Sequence, residues 1–149
     1  MSNYATENLR TLALVGHGSC GKTTLIEAML YRAGMIPEMG SIQRGTTMCD
    51  NDLLEKEVGH SIRLAVAHID TAMTDLTPVR IHILDTPGYP DYLGQDMSAL
   101  DAVKSVCAVI DPTKGPELLT RRLMAMAKER GLCRMIVINH MDDPEADLE

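Results

Sequence analysis

Leu9-Arg10-Thr11-Leu12-Ala13-Leu14-Val15 runs directly into Gly16-His17-Gly18-Ser19-Cys20-Gly21-Lys22-Thr23, and this stretch decides the fold. The first seven residues are a short apolar run ending in glycine, the pattern of a buried parallel strand. The next eight fit GxxxxGK[ST] without a gap, and a helical pattern begins near Lys22. Glycine lets the backbone wrap around oxygens, so that the N–H groups of residues 16–21 point inward as an anion nest. The positive N-terminal end of the helix adds to the same focus. Lys22 is then placed to bridge outer phosphates and the Thr23 hydroxyl to meet Mg²⁺, with Thr24 completing the binding stretch. A glycine turn that merely happens to precede a helix is the alternative. Strand and helix in register favour a nucleoside triphosphate site.

Composition bounds the setting. The 149 residues suffice for one domain with a real core. There is no Trp or Phe and there are eleven Met, so the core must be aliphatic and thioether-filled. Fourteen basic residues against 21 acidic ones give a net charge of −7, which offers no basic surface for DNA. Arg121, Arg122, Lys128, Arg130 and Arg134 do gather in one stretch, readable as a solvated helix face or as an RNA contact. Cys20, Cys49, Cys107 and Cys133 show neither a CxxC pair nor metal-ligand spacing. The N-terminus lacks the layout of a signal peptide, and no apolar run approaches the ~18 residues that span a membrane. A reduced, cytoplasmic setting is expected.

Further elements follow by periodicity. Leu25, Ile26, Met29, Leu30 and Ala33 recur at helical spacing, and Gly34 is a natural stop. Residues 34–59 lose all periodicity and read as a long, switch-like loop. Strands are predicted over residues 61–73 and 79–84, close enough in sequence to pair antiparallel. A helix over 93–103, a buried strand over 106–110, an amphipathic helix from Leu118 that Gly131 ends, and a last strand over 135–138 complete the order. Strands alternating with helices predict an α/β fold with a mostly parallel sheet and one antiparallel strand.

Two more motifs stand at predicted strand ends, where open α/β sheets bind ligands. In Asp85-Thr86-Pro87-Gly88, a carboxylate is placed to hold Mg²⁺ through water, and the Gly88 N–H to meet a terminal phosphate. In Asn139-His140-Met141-Asp142, the aspartate can accept from guanine N1 and N2, donors that adenine lacks. Each such charge-assisted bond is worth ~1.5–3 kcal/mol, enough to select the base. On spacing alone, a polar turn explains NHMD as well. His17, His60, His68 and His82 have no metal-like spacing, although His68 and His82 fall on neighbouring strands.

The set GHGSCGKT, DTPG and NHMD, in this order, resembles the G domain of translational GTPases, elongation factor G especially. Thr47-Met48-Cys49-Asp50 and Glu57-Val58-Gly59-His60-Ser61-Ile62 resemble its first switch, and Asp85-Thr86-Pro87-Gly88-Tyr89-Pro90-Asp91-Tyr92 its second. The resemblance implies a P-loop NTPase fold over residues 1–149, forming the N-terminal part of a longer cytoplasmic, monomeric factor. It implies GTP or GDP and Mg²⁺ as ligands and the ribosome as partner, with no membrane. Lys22, Gly88 and Tyr89 take the catalytic positions; Thr23, Ser61 and Asp85 take the Mg²⁺ positions. Gly16, His17, Gly18, Ser19, Cys20, Gly21, Lys22, Thr23, Thr24, Asn139, His140 and Asp142 hold nucleotide.

Departures from the pattern bear on mechanism. Tyr89 stands where the family has a water-positioning histidine; a phenol with pKa near 10 orients water but is a poor acid or base at neutral pH. Loss of such a group is worth ~10²–10⁴ in rate. Ser61 stands for a Mg²⁺-binding threonine and keeps the hydroxyl. Val58 stands for an arginine, His140 for the lysine that covers the base, and Ser19 for an aspartate that helps a monovalent ion. Cys20, among inward amides at a helix N-terminus, is expected to have a lowered thiol pKa. Three functions remain: a GTP-hydrolysing translation factor, a catalytically weak GTP- or GDP-responsive paralogue, and a P-loop ATPase or kinase.

Overall fold

Side chains alternate across a strand with a period of two, so a strand at the centre of a sheet feeds two cores. In the computed structural model, which describes residues 4–49 and 52–146 and only the backbone of Leu53, β1 (Leu9–Val15) does this. Ala13 and Val15 enter one core and Leu14 the other. β4 (Ser105–Ile110) beside it repeats the pattern, with Val106 and Ala108 on the first face and Cys107 and Val109 on the second. The remaining strands are β2 (Ala65–Ala72), β3 (Pro78–Asp85) and β5 (Cys133–Ile138), and the sheet order is β2-β3-β1-β4-β5. Only β2 against β3 is antiparallel; the other pairs are parallel.

Helices cover both faces, as parallel strands require. The helix α1 (Lys22–Arg32) buries Ile26 and Leu30 against Leu14, Ile83 and Val109. On the other side, α3 (Leu93–Ala102) and α4 (Leu118–Glu129) bury Ala99, Leu100, Leu123 and Ala127. Arg121, Arg122 and Lys128 lie on the exposed face of α4, Arg130 follows at its C-terminal cap and pairs with Asp101 at 3.1 Å, and Arg134 is exposed on β5. The Thr86 hydroxyl donates to the Leu14 carbonyl at 2.8 Å, which ties the end of β3 to the end of β1. β5 leaves Met135, Ile136 and Ile138 exposed at the sheet edge.

Two expectations need correction. The stretch 34–59 is not featureless: it contains α2 (Leu53–Val58), which Asp52 and Glu55 start as a capping box and Gly59 ends at φ 70°. The strand predicted from residue 61 begins instead at Ala65. The reason is Glu55, whose buried carboxylate accepts from Ile62 N at 2.9 Å and Arg63 N at 3.0 Å and bends that segment away from the sheet. Asp50, part of the first switch resemblance, lies outside the described residues, as do Asp147, Leu148 and Glu149.

A second carboxylate holds the same stretch. Glu27, on α1 and 1% exposed, accepts from Gly40 N at 3.0 Å and Met48 N at 2.5 Å. A buried charge is tolerable only when its oxygens are bonded, and here the partners are the loop's own amides. Replacing Glu27 by Ala strands those donors and is expected to cost about 2–3 kcal/mol. Urea unfolding reads this as a lower midpoint, and limited proteolysis as faster cleavage within 34–59; Glu27→Gln, which keeps an acceptor, is expected to cost less. Equal losses for the two variants would refute the anchoring role.

Asp96, on α3, is fully buried, and burial pushes its carboxyl above the ordinary value. With an unfolded value of about 3.9, the native state loses stability as pH rises from there through the raised native value. Asp96→Asn removes that cost. Its melting temperature is expected to exceed the unsubstituted chain's by a few degrees at pH 8 and to converge with it near pH 4. An advantage that grows on acidification would contradict this.

Candidate functional site

The turn between β1 and α1 wraps a single cation. Lys22, the first residue of α1 and 5% exposed, donates from Nζ to the carbonyls of His17 at 2.9 Å and Gly16 at 3.2 Å. Gly21 caps the helix in the left-handed region with no side-chain cap, so the first-turn amides and their positive dipole face outward for an anion. Gly88 closes the site from the DTPG turn at φ 80°. A Cβ there would collide with Gly16 O and Lys22 Nζ, so only glycine allows this approach. Tyr89 follows and lays its phenol end against Gly18, where no side chain stands in the way.

Three oxygen-bearing side chains converge beside Lys22. Thr23 Oγ1 donates to Asp85 Oδ2 at 2.6 Å and lies 3.2 Å from Ser61 Oγ. They come from α1, the end of β3 and the segment after α2. All three are buried. Two hydroxyls and one carboxylate are hard oxygen donors, few in number, which fits a Mg²⁺ that keeps part of its water and takes its other oxygens from phosphates. Ser61, Thr23, Thr24, Lys22 and Ser19 line a cavity of about 270 Å³, together with His60, Tyr89 and His140. That is below the roughly 300–1,000 Å³ of sites for whole organic ligands, and closer to the demand of a phosphate chain.

The NHMD segment reaches the same loop from β5. Asn139 Nδ2 donates to the Cys20 carbonyl at 3.0 Å, and its own amide donates to Ile110 O at 2.9 Å. His140 sits at φ 53° with Nδ1 3.2 Å from Asp111 Oδ2. Asp111, at the end of β4, also accepts from Thr113 Oγ1 at 2.7 Å and Thr113 N at 2.9 Å. These bonds, the Thr113 hydroxyl's first, hold its carboxyl down at about 2, so it stays ionised opposite His140. Asp142 is exposed and lies outside the cavity lining. The structure thus brings together every predicted phosphate and metal residue, and leaves Asp142 apart at the surface.

Cys20 does not behave as expected. It is fully buried, and burial outweighs the neighbouring Lys22 charge, so its thiol is pushed up rather than down. His17 is 3% exposed, with Nδ1 at 2.5 Å from Gly18 O and 3.8 Å from Glu117. His68 and His82 are register partners across β2 and β3, ring centroids 6.2 Å apart. Among the described residues no group of three or more His, Cys, Asp or Glu is arranged for a metal. Three supporting carboxylates escape sequence reading: Glu27, Glu55 and Asp111. The Asp52…Glu55 spacing is a readable signal for Glu55. Glu27 reaches Gly40, 13 residues on, and Asp111 reaches His140, 29 residues on, beside its local bonds to Thr113; periodicity does not reveal the distant partners.

Comparison with known proteins places the whole chain. The sequence model of the elongation factor Tu GTP binding domain matches residues 7–149. The tetracycline resistance protein TetM from transposon Tn1545 of Enterococcus faecalis is 34% identical over 137 residues, covering 92% of this chain and 21% of that protein. The mitochondrial ribosome-releasing factor 2 of Drosophila melanogaster is 35% identical over 144 residues, covering 97% of this chain and 19% of that protein. The chain therefore spans about a fifth of the length of the curated relatives it matches. A crystal structure of a protein from Thermus thermophilus superposes with a TM-score of 0.79 at 36% identity, covering 87% of this chain and 19% of that one. No helix among the described residues is long and apolar enough to cross a membrane. With a family model matched over residues 7–149 and relatives more than 30% identical over most of the chain, the chain belongs to the elongation factor Tu GTP binding domain family, the G domain of translational GTPases.

Proposed function

We propose that residues 1–149 act as the GTP-binding and GTP-hydrolysing domain of an elongation factor G-type translation factor, a cytoplasmic monomer that couples nucleotide state to the ribosome. The observation that carries this is that Ser61 and Asp85 both come within hydrogen-bond distance of the Thr23 hydroxyl, beside the Lys22 turn. Family membership supports the nucleotide, and the name of the matching ribosome-releasing factor supports the ribosome as partner.

Each residue has a physical task in this reading. Lys22 leaves the Gly16 and His17 carbonyls for the β- and γ-phosphates, exchanging neutral acceptors for charged ones. Thr23 and Ser61 would hold Mg²⁺, an ion that would supply charge neutralisation at the phosphate oxygens, and Asp85 would order its water shell. Gly88 offers its amide to the γ-phosphate, and Tyr89 stands beside the attacking water. Asn139 holds the loop in shape through Cys20 O, His140 lies over the base, and Asp142 reads guanine. Losing the γ-phosphate frees the Gly88 amide from it and relaxes the segment that Glu27 and Glu55 otherwise hold, an order-to-disorder switch.

A second reading, nucleotide binding with little turnover, draws on Tyr89. Its ring lines the cavity against Gly18 and His60, and a phenol is a poor acid or base at neutral pH. Phosphate release with and without ribosomes separates the two. Tight GTP binding with no release in either condition would refute hydrolysis, and stimulated release would refute the second reading.

Lys22→Ala is expected to weaken GDP and GTP binding by about 10–100-fold, the value of one charge-assisted contact. Titration calorimetry measures it, and removal of Mg²⁺ by chelation is expected to weaken GTP more than GDP. Excess ATP is expected not to displace labelled GDP; displacement at comparable concentrations would instead favour a P-loop ATPase or kinase.

A further inference from the structure

The cavity has two imidazoles, and they differ in engagement. His140 has Nδ1 3.2 Å from Asp111 Oδ2. His60 also lines the cavity, next in sequence to Ser61, and its ring packs on Tyr89 with centroids 4.5 Å apart and planes inclined by 40°. Its Nδ1 lies 3.3 Å from the Ser61 carbonyl. A carbonyl only accepts, so Nδ1 carries the hydrogen of that bond. In that tautomer Nε2 is the lone-pair acceptor of the ring. Tyr89, pressed between Gly18 and His60, fixes the plane of the imidazole by stacking.

We propose that His60, held by Tyr89 and the Ser61 carbonyl, is the side chain that orients the attacking water in this site. The role rests on the hydrolysis proposed above and assigns its positioning step to a residue outside the DTPG turn. His60 accepts a hydrogen bond from the water through Nε2 and aims the oxygen lone pair at the γ-phosphorus. The new P–O bond forms as the bond from γ-phosphorus to the bridging oxygen breaks. That electron pair stays on GDP, and both water hydrogens leave with the released phosphate as H₂PO₄⁻. No proton is stored on the ring, so Tyr89 need not act as an acid or base. Its contribution is geometric: it stops the imidazole from rotating away from the Ser61–Thr23–Asp85 cluster.

Two substitutions separate water orientation from packing. His60→Phe keeps a ring to stack on Tyr89 but has no acceptor; His60→Gln loses the ring but keeps one. In single-turnover GTP hydrolysis by the chain with Mg²⁺, His60→Phe is expected to lower the rate by about 10–100-fold, the scale of a misplaced reactant. GDP and GTP affinity, measured by calorimetry, are expected to stay within about twofold, because orientation acts in the transition state. His60→Gln is expected to recover most of the rate. If the phenylalanine variant does not fold, His60→Leu replaces it with the same expected loss. A rate unchanged by either apolar variant, an equal loss in the glutamine variant, or a loss confined to affinity each overturns the role of His60. An unsubstituted chain that binds GTP and releases no phosphate overturns the hydrolysis reading and this role with it; turnover that ignores position 60 overturns this role alone.

Discussion

The hydrogen bond from Thr23 Oγ1 to Asp85 Oδ2, 2.6 Å long and buried, is the constraint on which the site depends. It joins the first turn of α1 to the end of β3, elements that pack on the same core through Ile26 and Ile83. A buried carboxylate needs partners, and Thr23 can serve only if the turn before α1 keeps Lys22 folded inward. Ser61 then completes the group from a segment that has no strand of its own. The phosphate turn, the DTPG turn and the loop after α2 are thereby registered against one another.

Buried carboxylates recur as the device that places irregular backbone. Glu27 holds Gly40 and Met48, Glu55 holds Ile62 and Arg63, and Asp111 holds Thr113 and His140. Loops cannot satisfy their own amides as helices and strands do, so an anion reaching from a regular element does it for them. The exposed turn carrying Asp142 is held by local bonds, Asp143 N to His140 O at 3.1 Å and Glu145 N to Asp143 Oδ1 at 2.9 Å.

Much of the fold is legible in the sequence because its signals are local. Residues 9–15 read as a strand from an apolar run, and the structure has β1 there to the residue. The helices starting at Lys22 and Leu118 follow the 3.6-residue period. The boundary expected at residue 61 is displaced because Ser61 to Leu64 alternate acceptably for a strand, while the pull of Glu55 on Ile62 and Arg63 is invisible to alternation. The Cys20 thiol departs from expectation for a related reason: proximity to a helix end is read from order along the chain, but burial under Val109 and Lys22 is not.

The order of residues by itself determined the phosphate turn, the parallel α/β plan and the identity of the groups at each strand end, since glycine freedom, strand period and helix caps act over a few neighbours. Tertiary structure alone decided that Thr23, Ser61 and Asp85 share one point, that Asn139 grips Cys20 O, and that His60 stacks on Tyr89. Those partners are far apart along the chain, up to 119 residues for Asn139 and Cys20. They meet because a twisted sheet with helices on both faces brings its loops to one edge, which no local propensity specifies.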